Sequence, residues 1–173
     1  MKQLRHFATA LGALALLPGV LVSQGTLVVD SVRSPGLESN AVGDSPVRRL
    51  LVYLPPSYRH DSKRRYPVVY LLHGAMSTPE EWLSGVYQGL NLQLTLDSLI
   101  AAAAIPELLV VMPDANNALK GDWYANSPAT GKWEDFVVQD VIRHVDRRYR
   151  TNATREGRAL VGHSMGGDRK SVV

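Results

Sequence analysis

Three short runs decide the architecture open to this chain: Val68-Val69-Tyr70-Leu71-Leu72, Leu108-Leu109-Val110-Val111-Met112 and Ala159-Leu160-Val161. Each is apolar on both faces, whereas a strand of a half-exposed antiparallel sheet alternates apolar and polar residues. Strands buried on both sides belong to a largely parallel sheet covered by helices, and the intervening sequence supplies the helices. Thr78-Pro79-Glu80-Glu81 predicts a helix start, with Thr78 as N-cap, proline at the first position and Glu81 closing a capping box. Leu92 to Ala104 predicts a second helical stretch. Trp133, Phe136, Val137, Val141, Ile142 and Val145 recur mostly at steps of three and four, which predicts a helix from about Trp133 to Tyr149 with one apolar stripe. Two further strands, Thr26 to Val32 and Val47 to Leu54, precede these, the second stopped by Pro55-Pro56. Alternating strands and helices make a doubly wound, mostly parallel α/β sheet.

In such sheets chemistry gathers beyond the carboxyl ends of the strands. Those ends carry His73-Gly74-Ala75, Pro113-Asp114-Ala115-Asn116 and Gly162-His163-Ser164-Met165-Gly166-Gly167. Gly-x-Ser-x-Gly at a strand-to-helix turn holds the serine in strained backbone and pushes Ser164 Oγ into the open, with glycines where a side chain would strike the neighbouring strand and helix. With 14 Gly and 13 Ser in 173 residues, random placement gives the pattern roughly once in ten such chains, so the buried strand before it and the Gly-Gly after it carry the weight. The turn after His73-Gly74 directs the Ala75 N–H toward the same point, so the Ala75 and Met165 amides form the expected oxyanion hole. His73 is open between two roles, a turn residue bonding its own loop or a side chain of the substrate pocket, since the hole needs only backbone. His163 adjoins the serine, but neighbours on a tight elbow point apart, so it is a pocket candidate rather than the general base. His144 lies among Arg143, Arg147 and Arg148 and reads as part of a solvated face.

Composition narrows the chemistry further. The chain has no cysteine, which removes disulfides, a thiol nucleophile and Cys-ligated metal; no cofactor and no metal are expected. Lys2 and Arg5, an uncharged run from Phe7 to Val22, and small residues Ser23 and Gly25 form the parts of a secretory signal peptide over 1–25. The run is too short for a spanning helix, so a secreted or periplasmic bacterial protein is expected, with no stable membrane span after cleavage. The basic loop Arg59 to Arg65 lacks interleaved aromatics and a second patch, and no nucleic-acid partner is expected. The formal charge of +3 disappears over residues 26–167, which hold 15 basic and 15 acidic residues.

Val52-Tyr53-Leu54-Pro55-Pro56-Ser57-Tyr58, Tyr66-Pro67-Val68-Val69-Tyr70-Leu71-Leu72-His73-Gly74, Trp123-Tyr124 with Asn126-Ser127, Trp133-Glu134 and the serine motif stand in that order. This succession, from about residue 26 to 167, resembles the esterase family of α/β-hydrolases that includes feruloyl and acetyl-xylan esterases, enterochelin esterases, S-formylglutathione hydrolases and mycolyltransferase antigens, and is most similar to its feruloyl-esterase-like members. The resemblance implies acyl transfer to water through a serine ester. Ser164 attacks, the Ala75 and Met165 amides hold the oxyanion, and His73, Gly74, His163, Trp123 and Tyr124 are candidates for the pocket of a small-molecule or polysaccharide-linked ester.

In that fold the triad runs Ser, then Asp or Glu, then His. No histidine follows Ser164, so the expected domain is the N-terminal part of a hydrolase, truncated just after the nucleophile elbow, and this chain alone is expected to be inactive. Asp168-Arg169-Lys170-Ser171-Val172-Val173 depart from the resemblance and back-translate into common sequencing-adapter DNA, so 168–173 are expected to be a non-native tail. The alternative to an esterase is a non-catalytic α/β-hydrolase-like binding or vestigial protein.

Overall fold

The computed structural model describes residues 24–169. The expected signal peptide lies almost wholly outside the described residues, as do the last four residues of the expected tail. Five strands form one sheet: β1 Thr26–Arg33, β2 Val47–Leu54, β3 Val68–Leu72, β4 Leu109–Pro113 and β7 Arg158–Gly162, in the order β1-β2-β4-β3-β7. A second, two-stranded ribbon joins β5 Asn126–Ser127 to β6 Gly131–Lys132. The sheet is mixed. β4, β3 and β7 run parallel, while β1 and β2 form an antiparallel hairpin whose second strand is antiparallel to β4.

Successive residues of one strand serve opposite faces, and two cores result. Val52, Val68, Tyr70, Leu72, Leu109 and Val111 pack with Trp133, Phe136, Val137, Val141 and Val145 on one side. Leu51, Tyr53, Leu71, Val110 and Met112 pack with Trp82 and Leu96 on the other. The β3 and β4 runs are apolar throughout because both their faces are covered, by α1 Leu92–Ala101 and the turn before it on one face and by a long helix on the other. That long helix is α in α2 Trp133–Asp135, π through Phe136–Val141 and α again in α3 Ile142–Arg148. The π turn lets Phe136 and Val141, five residues apart, both be fully buried.

Four expectations need adjusting. Pro79–Trp82 is a 3-10 turn rather than the start of an α-helix, and Thr78 makes no side-chain cap; Glu81 instead accepts from Ser77 Oγ at 2.7 Å. The helix from Leu92 ends at Ala101 rather than Ala104, where Ala103 turns left-handed at φ 52°. His144 is not simply solvated: its Nε2 lies 2.8 Å from Asp30 Oδ2, which also accepts from Tyr149 Oη at 2.9 Å, so the pair fastens α3 to β1. Finally, β7 is not buried on both sides. It is an edge strand among the described residues, with Ala159 exposed and Val161 43% exposed, and a cavity of about 270 Å³ lined by Tyr70, Val138, Ile142 and Leu160 opens beside it.

Candidate active site

Parallel β3, β4 and β7 deliver three loops to one end of the sheet. The sharpest is the turn from β7 into α4 Met165–Arg169. Ser164 sits there at φ 51° and is exposed. Left-handed backbone costs an L residue about 1–2 kcal/mol, so the surrounding structure must impose it. It does so through two glycines. A Cβ on Gly162 would come within 2.4 Å of the Gly166 carbonyl carbon, and one on Gly166 would reach 2.6 Å from Leu72 O and 2.7 Å from Leu72 Cβ. Their absence lets α4 press on β7 and β3. The His163 N–H donates to Leu72 O at 3.1 Å, carrying the β3–β7 pairing up to the serine.

The loop after β3 meets this turn at Gly74, where a Cβ would lie 3.3 Å from both Ser164 Cβ and His163 Nδ1. Ala75 follows, exposed. Among the described residues neither the Ala75 nor the Met165 amide donates a hydrogen bond to another protein group. The loop after β4 closes the third side. The Met76 N–H donates to Lys120 O at 2.7 Å and the Trp123 N–H to Met165 Sδ at 3.2 Å, while a Cβ on Gly121 would touch Ala75 Cβ at 3.2 Å and Met165 Sδ at 3.3 Å. Among the described residues, five of the eight non-glycine residues with positive φ, namely Met76, Lys120, Trp123, Tyr124 and Ser164, lie in these three loops. Strained backbone clusters at active sites, ligand clamps and switch regions, which makes this end of the sheet the candidate site.

The pocket candidates separate into two groups. Trp123 (56% exposed) and His163 face outward, with the His163 ring 4.8 Å from that of Tyr87 and Tyr87 in turn 4.5 Å from Trp82. His73 and Tyr124, expected in the pocket, are each 1% exposed. Tyr124 turns inward because it and Trp123 are successive left-handed residues, and its hydroxyl donates to His73 O at 3.0 Å. Both ring nitrogens of His73 are engaged, and burial pushes its basicity down. These two residues brace the loops from below and line no surface.

Sequence reasoning missed the groups that shape the loop after β4. Asn117 Oδ1 accepts from the Leu119 and Gly121 amides at 3.1 and 2.9 Å, and Asp122 Oδ1 accepts from the Tyr124 amide at 2.5 Å. The available signal was the turn-forming series Asn116-Asn117 and Gly121-Asp122. Burial drives the Asp122 carboxyl up to about 7, helped by Asp44 and opposed by the Tyr124 amide and Arg48. An acid raised this way keeps its proton in the folded state while the unfolded chain releases it. The stability it contributes is full below about pH 4 and is lost as pH rises through about 7. Asp122→Asn, which stays neutral and retains the acceptor, is therefore expected to unfold later than the parent at pH 8, by about 2 kcal/mol in urea titrations. The gap should close below pH 4, and a pH-independent difference would contradict this account.

Among the described residues no cluster of His, Asp and Glu is placed to hold a metal, and no helix is long and apolar enough to cross a membrane. The family model described as "Putative esterase" matches residues 39–168. The chain belongs to that family. It is 33% identical over 134 residues to Esterase Rv1288 of Mycobacterium tuberculosis, covering 75% of this chain and 26% of that protein. It is 34% identical over 122 residues to an endo-1,4-beta-xylanase/feruloyl esterase of Xylanibacter ruminicola, covering 67% of this chain and 16% of that one. Among solved structures, a ferulic acid esterase superposes with TM-score 0.71 at 30% identity, over 83% of this chain and 52% of the other. The feruloyl esterase module of Clostridium thermocellum, solved as a serine-to-alanine mutant with sinapinate, superposes with TM-score 0.61 at 25% identity, over 84% and 47%. The fold is that of the α/β-hydrolase esterases, and the chain spans about a quarter of the length of its first curated relatives.

Proposed function

We propose that this chain is the front part, over residues 26–167, of an exported serine esterase that cleaves carboxylic esters through an acyl-Ser164 intermediate, with residues 168–173 standing outside that domain. The observation that carries this reading is Ser164 itself, left-handed and exposed beside two amides without protein acceptors. Ser164 Oγ forms a bond to the ester carbonyl carbon as its proton passes to a base. The carbonyl oxygen becomes an oxyanion that accepts from the Ala75 and Met165 N–H groups. The C–O bond to the alcohol breaks, the alcohol takes the proton, and water then splits the Oγ–acyl bond by the same route.

None of the described histidines serves as that base. His73 has both nitrogens bonded, His144 is held by Asp30, His60 lies in the loop before β3, and the His163 ring lies tilted against that of Tyr87. The reading therefore assigns the acid and the histidine to chain beyond β7. The exposed apolar face of β7 and the cavity beside it support further elements there, as does the coverage of only about half of the solved esterases. The names of the xylanase and feruloyl esterase relatives favour an acylated plant polysaccharide as substrate and favour export, which the pattern in 1–25 also supports.

The test is titration of the full-length protein with a fluorophosphonate while p-nitrophenyl acetate turnover is followed. One equivalent is expected to abolish turnover, with the mass increase on the peptide containing Ser164, and the 173-residue chain is expected neither to react nor to turn over. Turnover that survives stoichiometric labelling, or a label elsewhere, would overturn the mechanism. A full-length protein without turnover would leave the non-catalytic reading.

A further inference from the structure

The carbonyl of Gly74 and the N–H of Ala75 are opposite ends of one planar trans peptide. Whatever grips the carbonyl therefore aims the amide the other way. That grip comes from His73. Its Nδ1 lies 2.8 Å from Gly74 O, and its Nε2 lies 3.0 Å from the Ala115 nitrogen at the end of β4. A backbone amide can only donate, so Nε2 must be the acceptor, and the ring proton is left on Nδ1 to donate to Gly74 O. The tautomer is thus fixed by the fold. At 1% exposure the ring stays neutral, with Asp114, Glu81 and Arg48 the charged groups that act on it, and the Tyr124 hydroxyl separately holds the residue's backbone by donating to His73 O.

We propose that His73 is a positioning residue which, by holding the Gly74 carbonyl through its Nδ1–H, aims the Ala75 N–H at the developing oxyanion and polarises it as a donor. This rests on the esterase reading above. A hydrogen bond at the carbonyl end of a peptide strengthens donation at its N–H end, and an oxyanion donor acts on the transition state far more than on bound ester. Loss of the grip should therefore lower kcat and leave KM alone.

Two substitutions separate this role from that of a structural staple. The Asn side-chain amide occupies the place of Nδ1 and can still donate to Gly74 O, but cannot reach Ala115. The Gln carbonyl reaches the Nε2 position and can still accept from Ala115, but leaves the Gly74 carbonyl unheld. In the full-length protein, with kcat normalised to fluorophosphonate-titrated sites so that unfolded molecules do not count, His73→Gln is expected to lower kcat roughly 100-fold with KM within about twofold. The affinity for an aryl boronic acid, which forms a tetrahedral adduct with the serine, should fall in parallel with kcat. His73→Asn should recover kcat to within roughly fivefold of the parent even where its unfolding temperature is the lower of the two. Unchanged kcat and boronate affinity in His73→Gln, or the reverse ranking of the two variants, would overturn the proposal while leaving the esterase reading intact. A parent protein that fluorophosphonate does not inactivate would instead sink the esterase reading itself.

Discussion

In the full-length protein, Ser164→Ala is expected to lower kcat for an activated ester by roughly 10⁵- to 10⁶-fold while the unfolding midpoint stays where it was. The two halves of that result have separate causes. The rate falls because no other hydroxyl occupies the exposed turn, and only the Ala75 and Met165 amides remain to stabilise attack by water, which leaves a residual rate above background. Stability is unmoved because Ser164 Oγ is exposed and alanine carries the same Cβ at φ 51°. Ser164→Gly tests the strain directly. It should be equally inactive yet more stable by roughly 1 kcal/mol, since glycine adopts left-handed backbone freely. Parallel urea titrations and ester assays on the three proteins check this. Activity in Ser164→Ala above the residual level would move the nucleophile elsewhere, and a Ser164→Gly protein no more stable than the parent would remove the strain argument.

The elements that sequence made legible are those whose pattern is local. β2 and β3 begin and end at the expected residues, Val47, Leu54, Val68 and Leu72, because Pro46 and Pro55 bound the first and Pro67 and His73-Gly74 the second. The serine turn was legible for the same reason, since Gly162 answers to Gly166, four residues on along the chain, while Gly166 answers to β3. What escaped depends on partners distant in sequence. The direction of β1 and β2 is set by pairing with β4, and strand composition does not encode it. The exposure of β7 depends on what lies beside it, so an apolar triplet reads as central even in an edge strand. Trp123 and Tyr124 looked equivalent, yet two consecutive left-handed residues send one outward and the other under His73. His144 reads as solvated beside three arginines because its carboxylate, on Asp30, is 114 residues away.

The second large effect concerns packing beneath the nucleophile. Gly166→Ala places a methyl 2.6 Å from Leu72 O and 2.7 Å from Leu72 Cβ, where ordinary contact begins at 3.4 Å. Leu72 cannot yield: it is fully buried, pairs with Gly162 across the β3–β7 ladder and accepts the His163 amide. The displacement must be taken by α4, which carries the Met165 amide, and by the turn that holds Ser164. Overpacking of this kind costs roughly 2–3 kcal/mol, and a retreat of nearly 1 Å at the reacting groups costs roughly 100-fold in rate. Gly166→Ala is therefore expected to lose both stability and kcat, unlike Ser164→Ala, which loses only rate. Gly43→Ala supplies the comparison for backbone strain alone, because Gly43 has φ 75° and nothing within 4 Å of an added Cβ. It should cost about 1 kcal/mol and leave kcat unchanged. A Gly166→Ala protein as stable and active as Gly43→Ala would mean that α4 does not rest on β3 through this glycine, and the oxyanion geometry built on that contact would fall with it.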